Sequence, residues 1–289
     1  MSARLGIAAL LVIATLFGSN HVAARFAIDH GTSVAGAVTV RSACTAVFLF
    51  LFLFFSKTRI VFERRALVVG VLVTIQSFCL YTAVSKIPVA LALLVFQTFP
   101  LLYVLLSWVA GKEKPPKVAF AAIPMALVGL SLALDVVGKT SDLAGRWAAI
   151  GEGVGWAFAA AVAFSTVVFL NAHWLGKLDG RVRTLYMMGV TAALTFAGGA
   201  AAGSLRLPGD TGGWIALAAL TLLYGTAITS LFMVLPRLHG AASTVALNFE
   251  PIAALGMAWL VLGQSVSPLQ ILGALLVIGA IASLTLFRR

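Results

Sequence analysis

The stretch LALLVFQTFPLLYVLLSW, Leu91 to Trp108, occurs a second time in altered form as ASTVALNFEPIAALGMAW, Ala242 to Trp259. A single constant offset aligns the two copies. The aligned pairs are Gln97 with Asn248, Pro100 with Pro251, and Trp108 with Trp259. Each copy is apolar and close to the roughly 20 residues that an α-helix needs to cross a bilayer core. The sequence therefore predicts an internal repeat built around two membrane-spanning helices.

Each of these helices carries a proline in its middle. Proline removes a backbone donor and leaves a carbonyl one turn earlier without its partner. In a bilayer that carbonyl is tolerated only against protein or water-filled space, so both helices should be broken at Pro100 and Pro251 and face a cavity. One such kink can equally serve packing alone, since prolines are common in membrane helices. Two at equivalent positions of a repeat favour a transport site with the prolines as hinges.

The composition is that of a polytopic membrane protein. The chain is 61% hydrophobic and 10% charged, with a mean hydropathy of +1.07, which is far more apolar than a soluble domain requires. Ten apolar segments, each long enough to span a bilayer, can be drawn between residues 4 and 287. We predict an all-α membrane protein with ten transmembrane helices in two five-helix repeats, residues 1–140 and 141–289. Because five is odd, the second repeat must be inverted in the membrane.

The net charge of +11 indicates topology. With the N-terminus inside, most of the 20 Lys and Arg residues fall on one side, and the positive-inside rule places both termini in the cytoplasm. Nucleic-acid binding is therefore not expected. The first segment resembles a cleavable signal peptide in its basic start and small residues. A retained helix is favoured, because its removal would leave nine spans and spoil the repeat.

Sequence signatures of membrane enzymes do not occur in the chain. There is no GxSxG, HExxH, P-loop or paired-aspartate motif, the four histidines are scattered, and Cys44 and Cys79 fall in separate spans. The protein is therefore not expected to be an enzyme or to hold a metal or cofactor.

Two ionisable residues fall deep within predicted spans, Arg41 and Glu250. A charge at that depth is costly and is a functional candidate by default. Arg41 either is buried in this way or reaches the outer headgroups. Glu250 is either kept neutral, or paired with Arg41 or a backbone group, or used to couple transport to protons.

Small and polar residues mark further faces. Gly18 should let another backbone come close, and Asn20 is either a packing residue or a cavity ligand. A ridge of Gly151, Gly155, Ala159 and Ala163 is also expected to pack closely. At helical spacing, Thr74, Ser77, Tyr81 and Ser85 form a polar stripe that is a candidate cavity wall.

Together these features resemble EamA-type transporters of the drug/metabolite transporter superfamily. The residues that carry the resemblance are Phe17-Gly18-Ser19-Asn20, similar to a W-G-x-N/S start of the first helix, and the proline-centred segments that run to Glu113 and Gln264. Phe17 stands where tryptophan is usual, and Gln264 where the second half often has glutamate. The resemblance implies export of small metabolites, frequently amino acids, across a bacterial inner membrane by alternating access.

Within that family, exporters of the YddG type, which carry aromatic amino acids, are the preferred comparison. The residues expected to enclose an aromatic ring are Tyr81, Phe96, Phe99, Tyr103, Trp156 and Tyr224. The residues expected to bind the amino and carboxylate groups are Asn20, Gln97 and Asn248. The expected partners are thus a small-molecule substrate and membrane lipid.

Three alternatives remain at this stage. A sugar-linked or phosphorylated substrate would need two or more deep cations, and Arg41 is one. A lipid flippase would need a lateral opening. A membrane enzyme that transports nothing is the most remote.

Overall fold

A computed structural model describes residues 3–112, 118–133, 143–234, 249–264 and 267–286. Within these ranges the chain forms helices and no strand. The helices are α1 (Ala3–Asp29), α2 (Val34–Phe55), α3 (Arg64–Lys86), α4 (Val89–Phe96), α5 (Phe99–Val109), α6 (Ala119–Ala133), α7 (Leu143–Trp174), α8 (Gly180–Ala201), α9 (Thr211–Val234), α10 (Glu250–Leu262) and α11 (Pro268–Leu286).

Seven helical stretches are long and apolar enough to cross a membrane. They lie in α1, α2, α3, α4 with α5, α7, α8 and α9. Three shorter apolar helices, Phe120–Gly129, Glu250–Leu262 and Pro268–Ala280, fall where the sequence predicts further spans. The prediction of an all-helical membrane protein is confirmed at this level; the described residues contain seven full-length spans against the ten predicted.

The helix at Pro100 is broken as predicted. The first half, α4, ends at Phe96 and α5 begins at Phe99, with Gln97 and Thr98 between them. The hydroxyl of Thr98 donates to the carbonyl of Val95 at 2.8 Å. Pro100 is the second residue of α5, in the first turn, where a helix has no intrahelical partner for its N–H groups.

In the second copy the proline has the same position in its helix. Helix α10 begins at Glu250, so Pro251 is again the second residue. Residues 235–248, which include Asn248, lie outside the described ranges. The two prolines therefore occupy equivalent positions at the starts of α5 and α10.

Close helix packing is confirmed at Gly18 and is wrong for the predicted ridge on α7. A Cβ atom on Gly18 would lie 2.8 Å from the backbone of α10, at the Glu250 carbonyl oxygen. On α7, by contrast, Gly155 and Ala159 are exposed, and Gly153 packs instead, with a Cβ atom there 2.5 Å from Ile87. Small residues occur on lipid-facing surfaces too, so their spacing alone does not identify the buried face.

Polar contacts join the early helices to the late ones at one end of the molecule. His30 Nδ1 lies 2.6 Å from Asp210 Oδ2, and the backbone N–H of Arg206 donates to Ser33 Oγ at 3.0 Å. Ser33 in turn donates its own N–H to the Arg206 carbonyl at 3.1 Å. These contacts tie the α1–α2 turn to the α8–α9 connection, on the side that the charge pattern predicts to be outside.

The contact between Asp210 and His30 should make the protein more stable near neutral pH than in acid. The hydrogen bond from His30, with a second from the N–H of Gly213, holds the pKa of Asp210 below its usual range. A carboxyl of this kind stabilises the fold above its unfolded pKa of about 3.9, and the contribution is lost as the pH falls through the lower folded value. We expect Asp210→Asn to lower the melting temperature slightly near neutral pH, and the difference from wild type to shrink below about pH 4.

Thermal unfolding of the purified protein across a pH series measures this. In a His30→Ala background, Asp210→Asn should have a smaller effect at neutral pH. A difference between Asp210→Asn and the unmodified protein that is the same at low and neutral pH would contradict the expectation.

Candidate functional site

A cavity of about 320 Å³ lies beside the break between α4 and α5 and the start of α10. Its walls combine aromatic, charged and polar side chains. The lining residues are Phe17, His21, Arg41, Gln76, Ser77, Leu80, Tyr81, Phe96, Gln97, Phe99, Phe164, Tyr224, Ile228 and Glu250. The volume is at the lower end of the range of roughly 300–1,000 Å³ typical of small-molecule pockets.

Three phenylalanines form an aromatic cluster on one wall of the cavity. The ring centroids are 5.5 Å apart for Phe96 and Phe99, 5.4 Å for Phe96 and Phe164, and 4.7 Å for Phe99 and Phe164. Phe96 ends α4 and Phe99 begins α5, and side chains three residues apart are neighbours on one helical face. Rings at such distances attract one another in edge-to-face or offset geometry, and they offer the same contacts to a planar ligand.

Arg41 lies on another wall, and the structure places it inside the protein with 3% of its surface exposed. Its guanidinium carbon is 3.9 Å from the centroid of the Tyr224 ring and 5.3 Å from that of Tyr81. Nη2 is 3.3 Å from the Ser77 hydroxyl and 3.5 Å from that of Ser42. Nε is buried without a hydrogen-bond partner among the described residues.

The contacts of Arg41 offset its burial only in part. A desolvated cation–π contact is worth about 2 kcal/mol or more, whereas removing a cation from water costs several kcal/mol. The two hydroxyl contacts are long, and both involve neutral groups. The site therefore holds a cation whose charge is not balanced by the described side chains around it.

Glu250 pairs with a histidine. Its Oε1 is 3.3 Å from Nε2 of His21, a contact between α1 and the first residue of α10. The His21 ring also meets Tyr81 edge-on at a centroid distance of 5.9 Å. The sequence suggests Arg41 as a possible partner for Glu250, but the residue in contact with Glu250 is His21.

The structure brings most of the expected site residues into this cavity. Those that line it are Tyr81, Phe96, Gln97, Phe99 and Tyr224, together with Arg41 and Glu250. Asn20 lies one layer behind, fully buried, and accepts a hydrogen bond from the Tyr81 hydroxyl at 3.4 Å. Asn248 lies outside the described residues.

Tyr103 and Trp156 do not line the cavity. The ring of Tyr103 packs 6.5 Å from Phe169, and Trp156 donates from Nε1 to Glu152 at 3.3 Å. Both are aromatic side chains at ordinary packing or interface positions, which the sequence pattern does not separate from cavity positions.

Other lining residues were not expected from the sequence. Phe17, His21 and Phe164 are the most prominent of these. The one local feature that could have identified His21 as a site residue is its position one turn after Gly18, because α1 contacts α10 at Gly18. Of the polar stripe on α3, Ser77 and Tyr81 line the cavity as expected, whereas Thr74 bonds to Thr191 on α8.

The described part of the chain contains no cluster of three or more His, Cys, Asp or Glu side chains that could hold a metal ion.

Comparison with known proteins places this architecture. A solved crystal structure of a protein superposes with a TM-score of 0.65, covering 98% of this chain and 96% of that one at 18% sequence identity, a likeness of fold alone. The comparison with curated proteins gives no match. The EamA-like transporter family matches residues 4–134 and 151–286. Members of this family are membrane transporters rather than enzymes. Because the two matched segments include most of the sequence, the chain belongs to the EamA-like transporter family of the drug/metabolite transporter superfamily.

Proposed function

We propose that the protein exports a small metabolite, by preference an aromatic amino acid, across a bacterial inner membrane. The observation that carries this proposal is the shared cavity, in which the Phe96, Phe99 and Phe164 rings, the Arg41 cation and the Glu250 carboxylate all face the same space. An aromatic amino acid has one complementary group for each: a ring, a carboxylate and an ammonium. The proposal includes ten spans in two inverted repeats, with both termini in the cytoplasm.

The cavity argues for a small, singly anionic group on the substrate. Its volume is about 320 Å³, and among the described residues that line it Arg41 is the one Arg or Lys. Phosphate groups are typically held by several cationic donors. A phosphorylated or sugar-linked substrate is therefore less well matched than an amino acid.

The broken helices supply the moving parts of the proposed mechanism. The first helix is interrupted at Gln97 and Thr98, beside the cavity, and Pro100 and Pro251 are the second residues of α5 and α10. In transporters built from inverted repeats, one bundle rocks against the other around a fixed central site. The two prolines would then act as hinges, and Gln97 and Asn248 would contact the polar groups of the substrate.

Transport into proteoliposomes tests this function. Radiolabelled tryptophan and phenylalanine are compared with threonine and a sugar phosphate, each with and without an imposed pH gradient. We expect saturable transport of the aromatic amino acids in preference to the others. Transport of the sugar phosphate, with none of the aromatic amino acids, would overturn the substrate assignment.

Phe164→Ala should selectively weaken the binding of aromatic substrates. The change removes the ring that contacts both Phe96 and Phe99, and an aromatic pair is worth about 0.5–1.5 kcal/mol beyond its buried area. We expect KM for tryptophan to rise about tenfold, which corresponds to about 1.4 kcal/mol. Phe158→Ala is the matched control, because Phe158 lies on the same helix but is 46% exposed. Equal effects of the two changes would contradict the role of the cluster.

A further inference from the structure

Arg41 is a buried cation that forms no ion pair with a carboxylate among the described residues. The sequence contains nine acidic residues, and among those that the structure describes only Glu250 lines the cavity. Glu250 is already paired with His21 at 3.3 Å. The other described acids are Asp29, Glu63, Glu152, Asp179 and Asp210, and Glu113, Asp135 and Asp142 belong to segments between the predicted spans.

The contacts that Arg41 does make leave its edge available. A guanidinium group has five N–H donors arranged in a planar fork. The guanidinium carbon lies 3.9 Å from the centroid of the Tyr224 ring, and the two hydroxyl contacts both involve the same nitrogen, Nη2. A planar fork held against an aromatic ring can bind a carboxylate through two parallel hydrogen bonds.

We propose that Arg41 binds the carboxylate of the transported molecule, so that the substrate supplies the counter-ion that the described residues around Arg41 do not. This deepens the proposed function and rests on it in one respect, that the cavity is where the transported molecule binds. The substrate class becomes a monocarboxylate that carries an aromatic ring. The Tyr224 ring, which contacts Arg41, also lies 6.0 Å from the Phe17 ring, so the carboxylate site is continuous with apolar walls.

The consequence is a selectivity that the aromatic cluster alone would not produce. Aromatic molecules that lack the carboxylate would leave Arg41 unpaired and bring no charge to it. Leaving one member of a buried, hydrogen-bonded charge pair alone weakens binding by roughly 100-fold. Tryptophan amide and indole-3-acetamide should therefore bind on the order of 100-fold more weakly than tryptophan and indole-3-acetate.

Equilibrium binding to the purified full-length protein in nanodiscs tests this. The four ligands are titrated by calorimetry against wild type, Arg41→Gln and Arg41→Lys. In Arg41→Gln we expect the two carboxylates to bind about 100-fold more weakly and the two amides to bind as they do to wild type. Arg41→Lys, which keeps the charge but loses the fork, should lie between. Arg59→Gln is the control, since Arg59 is exposed on the α2–α3 connection.

The outcomes separate this inference from the proposed function. Carboxylate-selective binding of indole-3-acetate without any tryptophan transport would keep the Arg41 site and overturn amino acid export. Tryptophan transport with equal affinity for tryptophan and its amide, or unchanged tryptophan affinity in Arg41→Gln, would overturn the Arg41 site and keep export. If Arg41→Gln does not fold, the wild-type comparison of each acid with its amide decides the question.

Discussion

Gly18→Leu is expected to prevent α1 from packing against α10 and so to abolish a stable fold. A Cβ atom at Gly18 would lie 2.8 Å from the Glu250 carbonyl oxygen and equally close to the Ala254 nitrogen. Both are backbone atoms, which cannot rotate away as the end of a side chain can. The helices must therefore separate, and the walls of the cavity on α1 and α10 separate with them.

Gly18→Ala is the graded version of the same change. Overpacking costs about 1–3 kcal/mol, against a gain of about 0.4–1 kcal/mol from the less flexible unfolded chain when alanine replaces glycine. The net loss of stability is therefore expected to lie near the middle of the difference, at about 1 kcal/mol, and to appear as a lower melting temperature and a smaller monodisperse fraction on size exclusion.

Gly225→Ala is the matched control for Gly18→Ala. It lies within α9, and a Cβ atom there meets no atom within 4 Å. We expect its melting temperature to equal or slightly exceed that of wild type. A Gly18→Ala protein as stable as the Gly225→Ala protein would show that α1 and α10 do not approach so closely.

Glu250→Gln should remove any response of transport to a pH gradient and reduce the rate by about tenfold. The carboxylate faces the cavity and contacts His21, and both members of this pair can bind a proton. Contacting residues commonly show interaction energies of about 0.5–3 kcal/mol, and tenfold corresponds to about 1.4 kcal/mol. His21→Gln should act in the same direction, and the double variant should be little worse than either single one.

The control for this prediction is Glu152→Gln. Glu152 pairs with Lys86 at 2.9 Å and does not line the cavity, so its variant should keep the wild-type response to the gradient. If the transport rate of the wild-type protein does not change with the pH gradient, transport is facilitated diffusion and not proton-coupled. Glu250 would then have a structural role.

Features that depend on local backbone chemistry were predictable from the sequence. The break at Pro100 follows from the geometry of proline, which requires no knowledge of which helices are neighbours. The absence of a Cβ atom makes a close approach possible at Gly18, whereas Gly155, which also lacks one, is exposed. The helix break and the membrane class therefore follow from the sequence alone.

Features that depend on which helix faces which were only partly predictable. Tyr81 and Tyr103 are both tyrosines on predicted spans, yet only Tyr81 lines the cavity, because an aromatic ring suits a lipid-facing or packing position equally well. His21 is part of the site because it contacts Glu250, a residue far away in the sequence. Such contacts are set by helix rotation, which the hydrophobic pattern of a nearly uniform apolar segment leaves open.

The helices α5 and α10 differ in the type of residue that directly precedes the proline. The constant offset between the repeats places Phe99, the first residue of α5, opposite Glu250, the first residue of α10. If the two repeats were identical in sequence, exchanging their conformations would convert the inward-open state into an outward-open state of equal free energy. A ring in one half and a carboxylate in the other remove that degeneracy. In the proposed alternating-access cycle, the inward-open and outward-open orientations would therefore differ in free energy before any substrate or gradient is present.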